Sequence, residues 1–275
     1  MNLRARYESP AKPVVTAHRG FSGQHPENTL LAFSKAYELG VDCIEFDVRE
    51  SSDGELIIIH DATLDRTTNG TGRVDQNTIS ELKRLNASYW QGPHDSGRRL
   101  SKPSTDVKIP MLEEVLTAFA GKVGLNIQVY ADRQESLERI VQIYNLYDLR
   151  SSAFLMLRTF AEGALVRAMS PDVAVCIGED RANLDRHLSF GVDFIQPTKQ
   201  CLTDKYIRRL AESGIPANVF FANDQQTMAW LIEQNLSGIM TDVPDVLVDL
   251  MAARQQRKEQ GRILNRIEQS GSGDA

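Results

Sequence analysis

The chain has 275 residues, 41% of them hydrophobic and 25% charged, with a formal net charge of −6. That composition is expected of an ordinary soluble globular protein, long enough for one large α/β domain or two small ones, and it argues against a nucleic-acid binder that relies on a broad basic face. No run approaches the roughly 18 apolar residues of a membrane span, and residues 1–13 are too polar for a secretory leader. Cys43, Cys176 and Cys201 are odd in number and widely spaced beside apolar segments, so buried free thiols in a reducing cytoplasm are expected.

The first strand-like run covers 14–19, and an amphipathic helical pattern follows over 29–39. A second apolar run covers 43–48. After Ser51-Ser52-Asp53-Gly54 comes an extra run, 55–60, and Asp-Gly between two such runs signals a hairpin. A two-residue turn at Asp53-Gly54 would set Asp47 opposite His60. From 61 to 108 the rhythm lapses into turn clusters, with one short helix expected over 78–85 and loop over 88–104. This reads as a small insertion along one edge of a site.

Beyond it the alternation resumes. Helical patterns cover 112–120, 136–147, 160–169, 204–212 and 225–234, and strand-like runs cover 125–130, 153–158, 173–178, 194–197, 217–221 and 238–242. Eight β-runs, each followed by a helix or a short substitute, predict a TIM (β/α)8 barrel spanning about 14–250 as a single domain. An open doubly wound sheet would carry a Gly-rich fingerprint after its first strand. Here that turn is His18-Arg19-Gly20-Phe21-Ser22-Gly23. Residues 253–275 form a polar tail, expected as a helix that frays into disorder.

Barrel sites form at the C-terminal ends of strands. His18 and Arg19 end the first run. Glu45 and Asp47, two apart on the second, share one face. Two carboxylates aimed into a barrel are costly unless a cation neutralises them, and a hard divalent ion such as Mg²⁺ or Ca²⁺ suits oxygen ligands. Arg19 offers a fork for phosphate. Two histidines flanking one phosphate, His18 and His60, can serve as general base and general acid. Taken singly, each part is more often structural. Together on adjacent strands they point to metal-assisted phosphodiester cleavage. His25, His94 and His187 lack such company and are read as non-catalytic.

These residues carry a family resemblance. Ala17-His18-Arg19-Gly20, Pro26-Glu27-Asn28-Thr29, Ile44-Glu45-Phe46-Asp47, Ile59-His60-Asp61, Leu64-Asp65-Arg66-Thr67-Thr68-Asn69-Gly70, Ile109-Pro110-Met111-Leu112-Glu113-Glu114 and Gly238-Ile239-Met240-Thr241-Asp242 resemble the glycerophosphodiester phosphodiesterase family over about 14–250. The resemblance implies hydrolysis of a small glycerophosphodiester to sn-glycerol 3-phosphate and an alcohol. It assigns His18 and His60 as the acid–base pair, Arg19 as phosphate ligand, and Glu45 and Asp47 as ligands of one divalent cation. No nucleic-acid partner and no stable membrane anchor are expected.

Two departures stand out. The family's usual Glu-x-Lys strand reads Gln128-Val129-Tyr130 here, so Gln128 stands where a third carboxylate ligand is usual. An amide oxygen still ligates a hard cation. Phe220 stands at a usual Trp position, either as an apolar wall for the substrate or as ordinary core packing. The rival functions are a phosphodiesterase of another head group (a lysophospholipase D or a sugar phosphodiesterase) and a catalytically weak phosphodiester binder.

Overall fold

The computed structural model describes residues 2–9 and 13–271, the side chains of 258 and 261–271 excepted. In chain order the first half runs α1 (Leu3–Tyr7), β1 (Val14–Ala17), α2 (Leu30–Leu39), β2 (Cys43–Glu50), β3 (Leu56–Ile58), α3 (Ile79–Leu82), β4 (Trp90–Gln91), β5 (Arg98–Arg99), α4 (Leu112–Phe119) and β6 (Gly124–Val129). The second half runs α5 (Gln134–Leu146), β7 (Ala153–Leu157), α6 (Phe160–Met169), β8 (Val175–Ile177), α7 (Leu184–Phe190), α8 (Asp204–Ser213), β9 (Asn218–Val219), α9 (Gln225–Glu233), β10 (Gly238–Thr241) and α10 (Pro244–Gly271). The order across the main sheet is β8-β7-β6-β2-β1-β10-β9, with parallel pairing between neighbours.

The segment 193–198 closes this sheet into the (β/α)8 barrel. On one side Asp193 N donates to Val175 O (2.9 Å). On the other, Ile195 N donates to Pro216 O (2.9 Å), Asn218 N to Ile195 O (2.8 Å) and Phe220 N to Pro197 O (2.9 Å). The sixth run therefore contributes isolated bridges rather than a full strand. Pro197 has no N–H, which removes one rung on the β9 side.

Strand residues alternate between two cores. Ile44, Phe46, Leu125, Ile127 and Leu155 join the large cluster under the helices. Cys43, Phe154, Met156, Cys176 and Phe194 fill the barrel interior together with Leu3 and Tyr7 of α1. Helix α1 plugs the N-terminal end of the barrel, and the strand glycines make room for it. A Cβ at Gly238 would collide with the Tyr7 ring, and one at Gly124 with Leu3. Cys43 and Cys176 are free and buried, as expected, and Cys201 is free and half-buried.

The hairpin forms one residue out of the expected register. Its pairs are Val48–Ile58, Arg49–Ile57 and Glu50–Leu56, and Ile59 N donates to Asp47 O (3.0 Å). Asp47 thus faces Ile59, with His60 one step beyond. The cause is a three-residue loop, 52–54, inside a Ser51 N to Glu55 O bond (2.9 Å). Gly54 sits at φ 83°, the left-handed position that such loops require.

The insertion 61–108 has its own core of Leu64, Val74, Leu82 and Ala87 against Ile57, Ile59 and Ile109. Its helix is shorter than expected, Ile79–Leu82. The stretch expected as loop holds an antiparallel pair, β4 with β5. Helix α10 carries the polar tail as far as Gly271, and the expected disorder of 272–275 lies outside the described residues. Among the described residues, no helix is long and apolar enough to cross a membrane.

Tyr7→Ala empties a fully enclosed ring site and is expected to lower unfolding free energy by about 3–5 kcal/mol. Urea unfolding checks it. A loss below about 1 kcal/mol would mean that α1 is not an integral plug.

Candidate active site

The site begins where β1 stops. His18 N extends the ladder to Thr241 O (2.9 Å), and then Arg19 turns left-handed at φ 55°. That turn aims the Arg19 N–H at Glu45 Oε2 (2.8 Å). Gly20 follows at φ 78°, and a Cβ there would lie 2.7 Å from the Ala32 backbone. The Arg19 side chain is 2% exposed. Its Nη1 donates to Glu27 Oε1 (2.8 Å) and to His94 Nδ1 (2.9 Å), and its Nε lies 3.2 Å from Asp47 Oδ2. Asn28 donates from Nδ2 to Asp47 Oδ2 (2.7 Å) and accepts the Asp47 N–H (3.2 Å).

From Glu27 the charges alternate outward. Arg66 grips Glu27 with two nitrogens (2.6 and 2.7 Å) and Asp61 through Nε (2.7 Å). Asp61 Oδ1 meets His60 Nδ1 at 2.8 Å. Asp47, Arg19, Glu27, Arg66 and Asp61 thus form one chain of opposite charges from barrel interior to insertion, ending against the His60 ring. Burial alone would raise Glu27, but Arg19 and Arg66 outweigh it and hold the carboxyl at about 2. Asp61 is partly buried yet also held well below the usual range, by His60 and Arg66.

His18 is set from the opposite side. Its Nδ1 lies 2.7 Å from Asp242 Oδ1, just past β10. Asp242 also accepts from Ser22 Oγ (2.8 Å) and Asn223 Nδ2 (2.7 Å). Despite burial, His18 and these donors keep Asp242 well below the ordinary carboxylate range. With Nδ1–H on the carboxylate, Nε2 is the nitrogen left for chemistry, 3.9 Å from Glu45 Oε2. Phe220 lies edge-on to the His18 ring at 5.3 Å, and Phe221 stacks on it at 5.6 Å.

The carboxylate pair can take a cation. Glu45 Oε1 and Asp47 Oδ1 are buried without a hydrogen-bond partner. Burial and the neighbouring Asp47 push Glu45 up, a cost that a hard cation would remove. Gln128 is the register partner of Asp47 on the parallel neighbour β6. Its Nε2 donates to Tyr130 OH. Among the described residues no cluster of three or more His, Cys, Asp or Glu side chains forms a ligand set.

His94 does not stand apart as the sequence suggested. The β4–β5 turn brings it against Arg19, with its ring 5.3 Å from His60. Burial and Arg19 lower its pKa, which keeps Nδ1 an acceptor. His25 packs on Phe21 and His187 on Phe160. The support roles of Asp242, Asp61 and Arg66 were present in the motifs but not readable from them, because each acts through a partner distant in sequence.

Barrel and cluster together define a (β/α)8-barrel enzyme with its histidines, carboxylates and buried arginine gathered at the strand ends. A model of the glycerophosphoryl diester phosphodiesterase family matches residues 18–246, and the chain belongs to that family; it is a hydrolase of phosphoric diesters. Glycerophosphodiester phosphodiesterases of Bacillus subtilis (29% identity over 255 residues, 86% of each chain) and Caldanaerobacter subterraneus (30% over 252 residues, 87% of this chain and 98% of the relative) are similar nearly end to end. The crystal structure of an Agrobacterium tumefaciens glycerophosphodiester phosphodiesterase is 25% identical with a TM-score of 0.70, covering 86% of this chain and 98% of that one. An Oleispira antarctica phosphodiesterase in complex with the product sn-glycerol-3-phosphate shares the fold at 23% identity and a TM-score of 0.73, covering 88% and 97%.

Because Glu27 is about 2 in the fold against an ordinary 4.5, it contributes stability above pH 4.5 that is lost as pH falls towards 2, on the order of 3 kcal/mol. Glu27→Gln should therefore be less stable at neutral pH and flatten the acid limb. Urea midpoints between about pH 2 and 7 measure this, and parallel acid limbs would contradict it.

Proposed function

We propose that the enzyme hydrolyses glycerophosphodiesters to sn-glycerol 3-phosphate and an alcohol, with His18 and His60 as the acid–base pair. One observation carries this reading. Two imidazoles, each with Nδ1 tied to a carboxylate, share a barrel mouth with Arg19 and with two carboxylates that each keep a buried unpaired oxygen. The names of the relatives similar along most of the chain agree with it.

Glu45, Asp47 and Gln128 would hold one divalent cation, Mg²⁺ or Ca²⁺. Bound there, it supplies charge stabilisation for the phosphoryl oxygens. Arg19 lends its remaining donors to the phosphate. One histidine takes a proton at Nε2 from the nucleophile as its oxygen bonds to phosphorus. The nucleophile is water, or the substrate's own glycerol hydroxyl, in which case a cyclic glycerol phosphate forms and water opens it in a second displacement with the two histidines exchanging roles. The P–O bond to the alcohol breaks, and the other histidine delivers a proton to the leaving alkoxide. Asp242 and Asp61 fix the two rings in the Nδ1–H tautomer. Phe220 lines the mouth as an apolar wall. Free, unpaired cysteines fit a reducing cytoplasm.

Turnover of glycerophosphocholine and glycerophosphoethanolamine with Mg²⁺, Ca²⁺ or Mn²⁺ added singly tests the reading. His18→Ala and His60→Ala should each lower kcat by about 10²–10⁴. Unchanged kcat in either would refute the acid–base roles, and no turnover with any metal would favour a phosphodiester binder. Gln128→Glu adds a ligand charge and should tighten cation binding by about tenfold or more. Calorimetric titration showing no change would place Gln128 away from the ion.

A further inference from the structure

The mouth has a further basic side chain that none of this chemistry uses. Arg181 lies on the loop after β8, beside two acids that are engaged elsewhere. Glu179 and Asp180 both pair with Arg186, at 2.9 and 3.6 Å. Among the described residues Arg181 makes no ion pair. Its Nε donates to Gly178 O (3.3 Å), and its guanidinium lies 5.3 Å from the centroid of Phe220, the ring that also meets His18. One guanidinium nitrogen comes within 3.6 Å of the Cβ position of Gly178, which Met156 Cε approaches to 3.1 Å. Met156 belongs to the interior cluster, so the cation folds over the barrel axis rather than out into solvent.

The loop is fixed in that pose. Tyr206 OH donates to Arg181 O (3.1 Å) and His187 Nε2 to Asp180 O (3.2 Å), with Asp180 itself left-handed at φ 54°. Buried His187 thus anchors the backbone that presents Arg181. A half-buried guanidinium with no carboxylate partner, held rigid against an aromatic wall, is preorganised for an anion.

We propose that Arg181 is a specificity residue: it takes a second anionic group, phosphate or carboxylate, on the organic substituent of the phosphodiester that packs against Phe220. This rests on the phosphodiesterase reading above and names its preferred substrate class, diesters carrying an additional negative charge. Among the described residues Arg181 meets Phe220 and makes no hydrogen bond or ion pair with His18, Arg19 or His60, which assigns it to the substituent rather than to the reacting phosphate.

Matched substrates test it. Glycerophosphoglycerol is compared with the same diester bearing a terminal phosphate, and glycerophosphoethanolamine with glycerophosphoserine. The enzyme should favour the more anionic member of at least one pair by about tenfold in kcat/KM, the scale of one charge-assisted hydrogen bond. Arg181→Met should collapse that ratio to near one, and Arg181→Lys should restore part of it. The pair that responds tells phosphate from carboxylate. No preference in the unaltered enzyme, or an equal loss for both members in Arg181→Met, would overturn the proposal, the latter marking Arg181 as a ligand of the reacting phosphate. Calorimetric binding of the same pairs to His18→Ala reads the discrimination without turnover. An enzyme that cleaves none of the diesters yet binds them with the Arg181-dependent ratio would overturn the catalytic reading alone.

Discussion

The buried guanidinium of Arg19 is the constraint on which the rest of the site depends. It is 2% exposed and answers carboxylates on both sides, Asp47 from the barrel and Glu27 from the loop before α2. Its own backbone N–H holds Glu45. A charge this deep is tolerable only when paired and hydrogen-bonded, and removing one partner of such a pair typically costs 3–5 kcal/mol. The pairing does not end at Glu27. Arg66 carries it to Asp61, and Asp61 to His60. The insertion is therefore part of the active site. Without Arg66, Glu27 would be shared by one cation fewer, and Asp61 would lose the guanidinium that holds it in place beside His60.

That chain also explains why a hairpin register one step from expectation leaves His60 useful. Asp47 pairs with Ile59 across the strands, so strand pairing alone does not deliver His60 to the site. The His60 carbonyl is held by Arg49 Nε (2.6 Å) and its ring by Asp61. Side-chain contacts place the imidazole where the ladder does not.

What could be read in the sequence follows from the range of each interaction. The β/α alternation and the inward pair Glu45 and Asp47 are local patterns of period 2 and 3.6, and they survive in the fold. Features set by tertiary contacts were hidden. Helix α1 is five residues long, too short to be stable alone, and exists because Leu3 and Tyr7 fill the barrel end. The three-residue loop after β2 looks in sequence like a two-residue Asp-Gly turn, because both place Gly last. His94 sits in the β4–β5 turn with no flanking alternation, so nothing nearby announced that it would meet Arg19. Asp242 is visible only as the end of the last strand, and its bond to His18 spans 224 positions.

The departure at Gln128 and Tyr130 is best understood as one change, not two. A carboxylate and a lysine at these places would carry opposite charges, so replacing both with neutral groups leaves the net charge unchanged. Tyr130 stays neutral, since burial followed by the fields of Asp47 and Glu45 pushes its pKa up. Its hydroxyl accepts the Gln128 amide N–H, which leaves the amide oxygen of Gln128 as the group free to face a cation. The same Tyr130 ring is 5.5 Å from His60 and lies under the Arg49 guanidinium at 4.7 Å. Gln128 and Tyr130 are thus a hydrogen-bonded neutral pair wedged between a histidine and an arginine. On the proposed reading, the consequence would be a weaker field on the cation and one fewer positive charge beside the phosphate. A guanidinium without a carboxylate partner among the described residues does remain near the site, that of Arg181 beside Phe220.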